Sequence, residues 1–97
     1  MQETVLLFID NFSSAKESFL HGNCYWFAYI LLARFGGEIC YDIVNNHFVS
    51  KIDGVYYDAS GVVDGDFISW REYQSVDPAH CDGIKRDCIL KITPNEQ

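Results

Sequence analysis

Three side chains in this sequence have the types that nucleophilic catalysis requires: a cysteine, a histidine and an aspartate. Cys24 opens an apolar stretch that ends at Gly36 and Gly37. The stretch predicts a helix over 23–35 with Asn23 as its N-cap, because a capping side chain binds first-turn N–H groups and glycine accepts the left-handed conformation that ends helices. Free N–H groups and the positive end of the helix dipole would lower the pKa of the Cys24 thiol and favour a thiolate.

The predicted helix is apolar on nearly all sides, which is typical of a central, buried helix. Its large aromatic residues recur at helical spacing and are predicted to lie in the core: Trp26, Phe27, Tyr29 and Phe35. The alternative interpretation of Cys24 is an inert cysteine that packs as a small hydrophobe. Cys40, Cys81 and Cys88 are predicted to be cysteines of that inert kind.

A predicted hairpin places His47 and Asp58 next to each other. Asp53-Gly54 lies between two strand-like segments and predicts a type I′ turn, whose two central residues need positive φ. The register of this turn sets His47 opposite Ser60, so that His47 and Asp58 are diagonal neighbours on one face of the sheet. Diagonal neighbours have Cα atoms about 7–8 Å apart, within reach of two polar side chains. An aspartate there would fix the tautomer of the histidine and stabilise its imidazolium form. A solvent-exposed strand histidine and a carboxylate that ends a strand are the alternatives.

This order of elements, a helix that opens with Cys, a strand with His and a neighbouring strand with Asp, resembles the papain-like cysteine hydrolase superfamily. It is closest to the transglutaminase-like and compact bacterial cysteine peptidase-like branches. The resemblance covers residues 22–60, and these segments carry it: Gly22-Asn23-Cys24-Tyr25-Trp26, Asn46-His47-Phe48-Val49 and Gly54-Val55-Tyr56-Tyr57-Asp58-Ala59-Ser60. It implies an α+β fold with a papain-like or transglutaminase-like core, in which the central helix that bears the Cys packs on a small antiparallel β-sheet.

The resemblance also implies a role for each residue. Cys24 would be the nucleophile, His47 the general base and later the general acid, and Asp58 the residue that orients His47. Backbone N–H groups at the helix start would bind the oxyanion, with Asn23 and Asn46 as secondary residues. The predicted function is a small cysteine-dependent hydrolase or acyltransferase (peptidase, amidase or transglutaminase-like) that acts on an amide or thioester of a protein or peptide, without a cofactor.

Length and charge set the wider expectations. The chain has 97 residues, of which 48% are hydrophobic, and a formal net charge of −7. We expect one domain over 1–97. Nucleic acid is not an expected partner, because phosphates would repel so acidic a chain. The alternative function is a non-catalytic acidic binding or inhibitor protein on the same scaffold, for example of phage or mobile-element origin, that docks on a basic protein partner.

The start of the chain lacks the basic segment of a targeting signal, and its apolar run over 5–9 is too short to span a membrane. We therefore expect a cytoplasmic protein with reduced thiols and no membrane contact. The histidines and cysteines match no standard zinc spacing, so no metal is expected.

The remaining elements follow from periodicity and breakers. They are a helix over 3–12 (or a strand over 4–9), a helix over 15–20 begun by a Ser14–Glu17 capping box, a strand over 38–43, a loop over 60–66, a helix over 70–74 capped by Ser69, breaks at Asp77-Pro78 and Asp82-Gly83, a closing strand over 84–92 and a polar tail over 93–97.

Overall fold

The computed structural model describes residues 2–20 and 23–89, except for the side chain of Cys88. In this part of the chain, a five-stranded antiparallel sheet packs against helices in a small α+β domain. The helices are α1 (Gln2–Asp10), α2 (Lys16–Leu20), α3 (Cys24–Phe35), α4 (Trp70–Val76) and α5 (Pro78–Ile84). The strands are β1 (Glu38–Asp42), β2 (His47–Ile52), β3 (Val55–Asp58), β4 (Gly61–Val63) and β5 (Ile68–Ser69). These elements confirm the predicted α+β class.

Helix α3 is the predicted central helix, and the two glycines that follow it have the positive φ angles that end helices. Its burial is one-sided. Phe27, Ala28 and Leu31 are buried, whereas Tyr29 is 48% exposed. The prediction of a helix buried on nearly all sides is therefore wrong, because only the side toward the sheet and its neighbouring helices is covered.

The connection from α3 to β1 is held tightly against the next strand. A Cβ atom on Gly37 would lie 2.1 Å from the carbonyl oxygen of Lys51, a distance that no real side chain reaches. Glycine at this position therefore lets α3 end directly beside β2.

The strands follow the order β4-β3-β2-β1-β5, with every neighbouring pair antiparallel. Asp53 and Gly54, between β2 and β3, have φ angles of 51° and 80°. Both values are positive, as a type I′ turn requires. Ile52 pairs with Val55 across this turn, which confirms the predicted hairpin and its register.

Two groups of buried residues stabilise the fold, and α3 contributes to both. The α4–α5 core consists of Ala28, Ile39, Tyr41, Phe48, Trp70, Tyr73, Cys81, Ile84 and Ile89. The α1–α2 core consists of Val5, Ile9, Phe27, Leu31, Ile52, Tyr57 and Ala59. Helix α3 therefore lies between the N-terminal helices and the C-terminal helices, and its first turn is held from both sides.

Both edge strands differ from the sequence prediction. Gly61–Val63 form β4, paired with β3, where a loop over 60–66 is predicted. Ile68 and Ser69 form β5, paired with Tyr41 and Cys40 of β1. Strands of three and two residues are too short to show the alternation of apolar and polar residues that identifies a strand in a sequence.

The prediction is also wrong near the C-terminus. The predicted turn at Asp82-Gly83 lies inside α5, and Lys85–Ile89 continue as a π-helical segment where a closing strand over 84–92 is predicted. The rest of that strand and the polar tail lie outside the described residues.

The residues at the start of α5 explain why this segment forms a helix and not a turn followed by a strand. Asp77 accepts a hydrogen bond from the N–H of His80 at 3.1 Å, and Pro78 occupies the first turn. An N-cap and a first-turn proline both favour a helix. Glycine inside a helix costs only about 0.5–1 kcal/mol relative to alanine, so these start signals and the burial of Cys81 outweigh Gly83.

The other predicted helices are present. Helix α1 confirms the helix over 3–12, and α4 begins after Ser69, whose hydroxyl accepts the N–H of Glu72 at 3.4 Å. Ser14, however, lies inside a 3-10 turn over Ser13–Ala15 that leads into α2, so it is not the predicted N-cap. Within residues 2–20 and 23–89, no helix is long and apolar enough to cross a membrane.

Candidate active site

The structure brings together the three residues that the sequence selects for catalysis. Nε2 of His47 lies 2.8 Å from Oδ2 of Asp58, and the two side chains are 22% and 10% exposed. Cys24 is partly buried at the start of α3, where its thiol interacts with the side chain of His47. Because Nε2 is bonded to Asp58, Nδ1 is the ring nitrogen that remains for the thiol.

A strand N–H group also points at the thiol. The N–H of Phe48 donates to Sγ of Cys24 at 3.5 Å. Phe48 lies two residues before Ser50, which pairs with Tyr57, so its N–H points to the β3 side of β2. Strand β3 has already ended at Asp58, and the N–H that a longer β3 would have bound serves the thiol instead.

These contacts determine the pKa of Cys24. Burial acts to raise it, but hydrogen bonds from His47 and from the N–H of Phe48, the charge of His47 and the N–H of Tyr25 all act to lower it. The lowering effects dominate, so the pKa of Cys24 lies below its ordinary value of 9.0. The thiol is therefore poised to ionise.

His47 shows the complementary shift. Hydrogen bonds to Asp58 and to Cys24 raise its pKa to about 10, although burial opposes this change. At neutral pH the imidazole is protonated, and its positive charge favours the thiolate form of Cys24.

Asp58 is almost fully buried and ionised. Its Oδ1 accepts the N–H of Ser60 at 2.7 Å and also the Ser60 hydroxyl. Burial acts to raise the pKa of Asp58, and hydrogen bonds from His47 and Ser60 bring it below its ordinary value. The two oxygens of this carboxylate thus bind two different residues.

Ser60 lies elsewhere than the sequence prediction sets it. It is predicted opposite His47, but β3 ends at Asp58 and Ser60 belongs to the turn into β4. Sequence reasoning missed its bond to Asp58. The available signal was the Asp-x-Ser spacing, since aspartate side chains commonly accept the N–H two residues on.

The two asparagines make other contacts. Asn23 stands at the N-cap position, but its side-chain Nδ2 donates to the hydroxyl of Ser18 at 2.8 Å and makes no capping bond. The predicted side-chain cap is therefore wrong. Oδ1 of Asn46 accepts the hydroxyl of Tyr41, and Asn46 has a φ angle of 51°. Their oxyanion roles stay predictions.

The turn that leads into His47 is fixed by Asp42. The carboxylate of Asp42 accepts the backbone N–H groups of Val44 and Asn45 at 3.0 and 3.2 Å and the side-chain amide of Asn45 at 2.7 Å. Asp42 also pairs directly with His47 across the ladder. The backbone position of His47 is thus set by β1 as well as by its own strand.

Comparison with known proteins identifies the family. A family model described as "Phage YunG-like protein" matches residues 7–85, a range that includes Cys24, His47 and Asp58. The chain belongs to the phage YunG-like family. That description names no reaction, substrate or partner. No curated protein and no solved structure matches the chain.

The surface of this phage YunG-like protein has two notable cavities. One, of about 410 Å³, lies between the end of α3, β1 and α4 and is lined by Trp70 and Arg71 among others. The other, of about 240 Å³, lies between α1, α2 and the β3–β4 turn and is lined by Lys16 and Ser60 among others. Neither is lined by Cys24 or His47, so these cavities do not define where a substrate would meet the thiol.

Over the described ranges 2–20 and 23–89, no group of three or more His, Cys, Asp or Glu side chains could hold a metal ion. Cys40 and Cys81 are buried free thiols, as predicted, and the side chain of Cys88 lies outside the described part.

Proposed function

We propose that this chain is a small cytoplasmic cysteine hydrolase or acyltransferase that cleaves an amide or thioester of a protein or peptide. The observation that carries this proposal is the linked set of contacts from Cys24 through His47 to Asp58. A thiol beside an imidazolium that is bonded to a carboxylate is the arrangement that activates a cysteine nucleophile.

The fold supports a papain-like or transglutaminase-like core. The chain runs from the Cys helix α3 through β1 to the His strand β2 and the Asp strand β3, and all three strands are antiparallel neighbours. His47 is the first residue of β2 and Asp58 the last of β3. Because β2 and β3 are antiparallel, the start of β2 and the end of β3 lie at the same end of the sheet, and both side chains lie beside the start of α3.

In the first step, the Cys24 thiolate attacks the carbonyl carbon of the substrate. The Sγ–C bond forms and the carbonyl electron pair moves to oxygen, which gives a tetrahedral oxyanion. As the intermediate collapses, the bond to the leaving nitrogen or sulfur breaks, and the proton on Nδ1 of His47 passes to that leaving atom. The products are a thioester on Cys24 and a neutral leaving group.

Backbone donors at the start of α3 would stabilise the oxyanion. The first helical hydrogen bond runs from the N–H of Phe27 to the carbonyl of Asn23 at 3.2 Å. The N–H groups of Cys24, Tyr25 and Trp26 precede it and have no helical acceptor. Such N–H groups at a helix start bind developing negative charge.

The second step releases the acyl group. Neutral His47 takes a proton from water or from an amine, whose oxygen or nitrogen attacks the thioester carbon. The C–S bond then breaks and Cys24 leaves as the thiolate, which restores the thiolate–imidazolium pair. Water as the acceptor makes the chain a hydrolase, and an amine makes it an acyltransferase.

The test is the pH dependence of Cys24 alkylation by iodoacetamide, read by mass spectrometry of the peptide that contains Cys24. A free cysteine has a pKa of about 8.5, and Cys24 of the wild type is expected to react at a clearly lower pH. The His47→Gln variant is expected to move the midpoint of the alkylation profile to higher pH. His80→Gln is the matched control, since His80 bonds to Tyr73 instead. An alkylation profile that ignores His47 would contradict the proposal.

A second candidate function is a non-catalytic acidic binding protein that docks on a basic protein partner. The net charge of −7 favours it, because an acidic surface attracts a basic partner. It predicts an unreactive Cys24 and a partner whose binding weakens with salt, because exposed charges are screened.

A further inference from the structure

The carboxylate of Asp58 is held from two sides. Its Oδ2 accepts from His47, while its Oδ1 accepts both the N–H and the hydroxyl of Ser60. Asp58 is 8% exposed, so these donors take the place of water. A carboxylate whose two oxygens bind different residues is confined to one orientation about its last side-chain torsion.

The backbone places Ser60 above this carboxylate. Asp58 pairs with Gly61 across a two-residue turn formed by Ala59 and Ser60. Gly61 has a φ angle of 112°, a conformation that side chains disfavour. The tight turn therefore returns the chain over Asp58 at one fixed position.

Packing does not explain why residue 60 is a serine. Ser60 is exposed, and its side chain is seen to bind Asp58. The backbone N–H would remain with any residue other than proline, so the hydroxyl is the part of the contact that depends on serine. An alanine here would remove one hydrogen bond and leave no buried cavity.

We propose that Ser60 is a positioning residue of the Cys24–His47–Asp58 site. Its hydroxyl fixes Oδ1 of Asp58, which keeps Oδ2 on Nε2 of His47 and sustains the thiolate–imidazolium pair. This inference rests on the proposed function. Ser60 acts through Asp58 and His47.

The hydroxyl has two opposite effects, and they predict opposite results. By orienting Asp58 it strengthens the bond to His47, which stabilises the imidazolium and the thiolate. By donating to Asp58 it also withdraws negative charge and weakens the carboxylate as an acceptor. Positioning requires the first effect to dominate, so removing the hydroxyl raises the pKa of Cys24.

The experiment compares Ser60→Ala and Ser60→Gly, which lack the hydroxyl, with Ser60→Thr, which keeps it. Ser14→Ala is the control for an exposed serine outside the site. The readouts are the pH profile of Cys24 alkylation by iodoacetamide and the imidazole ¹⁵N shifts of His47. At pH 6 the two variants without the hydroxyl are expected to react about tenfold more slowly, because a hydrogen bond to a charged group is lost. Ser60→Thr is expected to restore the wild-type profile.

Two further results are decisive. If Ser60→Ala and Ser60→Gly keep or lower the wild-type midpoint while His47→Gln raises it, Ser60 only shapes the turn and the inference is overturned, but the proposed function stands. If His47→Gln also leaves the profile unchanged, the proposed function itself fails. Far-UV circular dichroism identifies a variant that has not folded, and the other hydroxyl-free variant then supplies the answer.

Discussion

Two cysteines on either side of β2 have opposite chemistry. Cys40 lies on β1, is 2% exposed, and has its pKa raised to about 11 by burial and by the charge of Glu38. Burial also acts on Cys24, yet hydrogen bonds from His47 and Phe48 bring its pKa below the ordinary value. Burial alone makes a thiol inert. Cys24 differs because N–H donors and a positively charged imidazole lie beside its Sγ atom.

Cys81 extends the comparison. It is buried at α5, and burial and the charge of Asp77 raise its pKa. Like Cys40, it has acidic neighbours where Cys24 has a histidine. Removing the partners of Cys24 one at a time should therefore make its reactivity more like that of Cys40 and Cys81.

The largest effect is expected from His47→Gln. Without the imidazolium the pKa of Cys24 should rise, because burial still opposes ionisation of the thiol, and alkylation at pH 6 should fall on the order of 50-fold. Cys40 should keep its low reactivity in the same sample. Mass spectrometry of the two cysteine peptides measures both rates, and a parallel change at Cys40 would indicate partial unfolding instead.

Asp58→Asn is expected to have a smaller effect. The amide is close in shape to the carboxylate but carries no charge, so the pKa of His47 should fall and Cys24 alkylation at pH 6 should slow about tenfold. The imidazole ¹⁵N shifts of His47 report its protonation directly. A His47 that still titrates near pH 10 in this variant would show that Asp58 does not raise its pKa.

Two opposing effects of pH on stability are expected. The pKa of His47 is raised to about 10, so its contribution is fully present below about pH 6.5 and is lost as the pH rises through about 10. The pKa of Cys24 is lowered, so its contribution is fully present above the ordinary value of 9.0 and is lost as the pH falls through the lowered value. The two slopes have opposite signs and cancel where folding removes a proton from Cys24 and adds one to His47.

Urea denaturation of wild type and of the Cys24→Ser/His47→Gln double variant, at intervals from pH 5 to 10.5, measures this contribution as the difference in free energy of unfolding. A difference that does not decline between pH 9 and 10.5 would mean that folding does not raise the pKa of His47.

The smallest effect is expected from Cys40→Ala. Removing a buried sulfur should lower the free energy of unfolding by about 1 kcal/mol, while Cys24 alkylation stays within about twofold of wild type, because Cys40 is not among the groups that act on the pKa of Cys24. Thermal denaturation and the same peptide assay measure the two quantities. Slower alkylation of Cys24 would show that β1 packing also orders the site.

The elements that hold the site could be predicted because each has a local signal. The N-terminal cysteine of α3 stands before a long apolar run, and Asp53-Gly54 fixes the register that brings His47 and Asp58 together. The contacts that complete the site have no such signal. The N–H of Phe48 belongs to no side chain, and the bond from Ser60 depends on a turn into a three-residue strand.

The errors at the C-terminus have a different cause. Asp82-Gly83 is a turn signal when judged locally, but the helix start at Asp77 and the burial of Cys81 and Ile84 decide the conformation. Tertiary packing overrides local preference in this segment. The prediction that α3 is buried on nearly all sides is wrong for another reason, since apolar composition does not reveal which sides of a helix are covered.

The two edges of the sheet have a consequence for how the protein behaves when it is crowded with copies of itself. Among residues 2–20 and 23–89, which the structure describes, the strands at the edges are β4 and β5, with three and two residues. Strands this short offer little unpaired backbone to a neighbouring molecule, and short edges are one way in which sheets avoid aggregation. A concentrated solution of this acidic chain should therefore resist joining sheet to sheet, even though its central strands are rich in β-branched and aromatic residues.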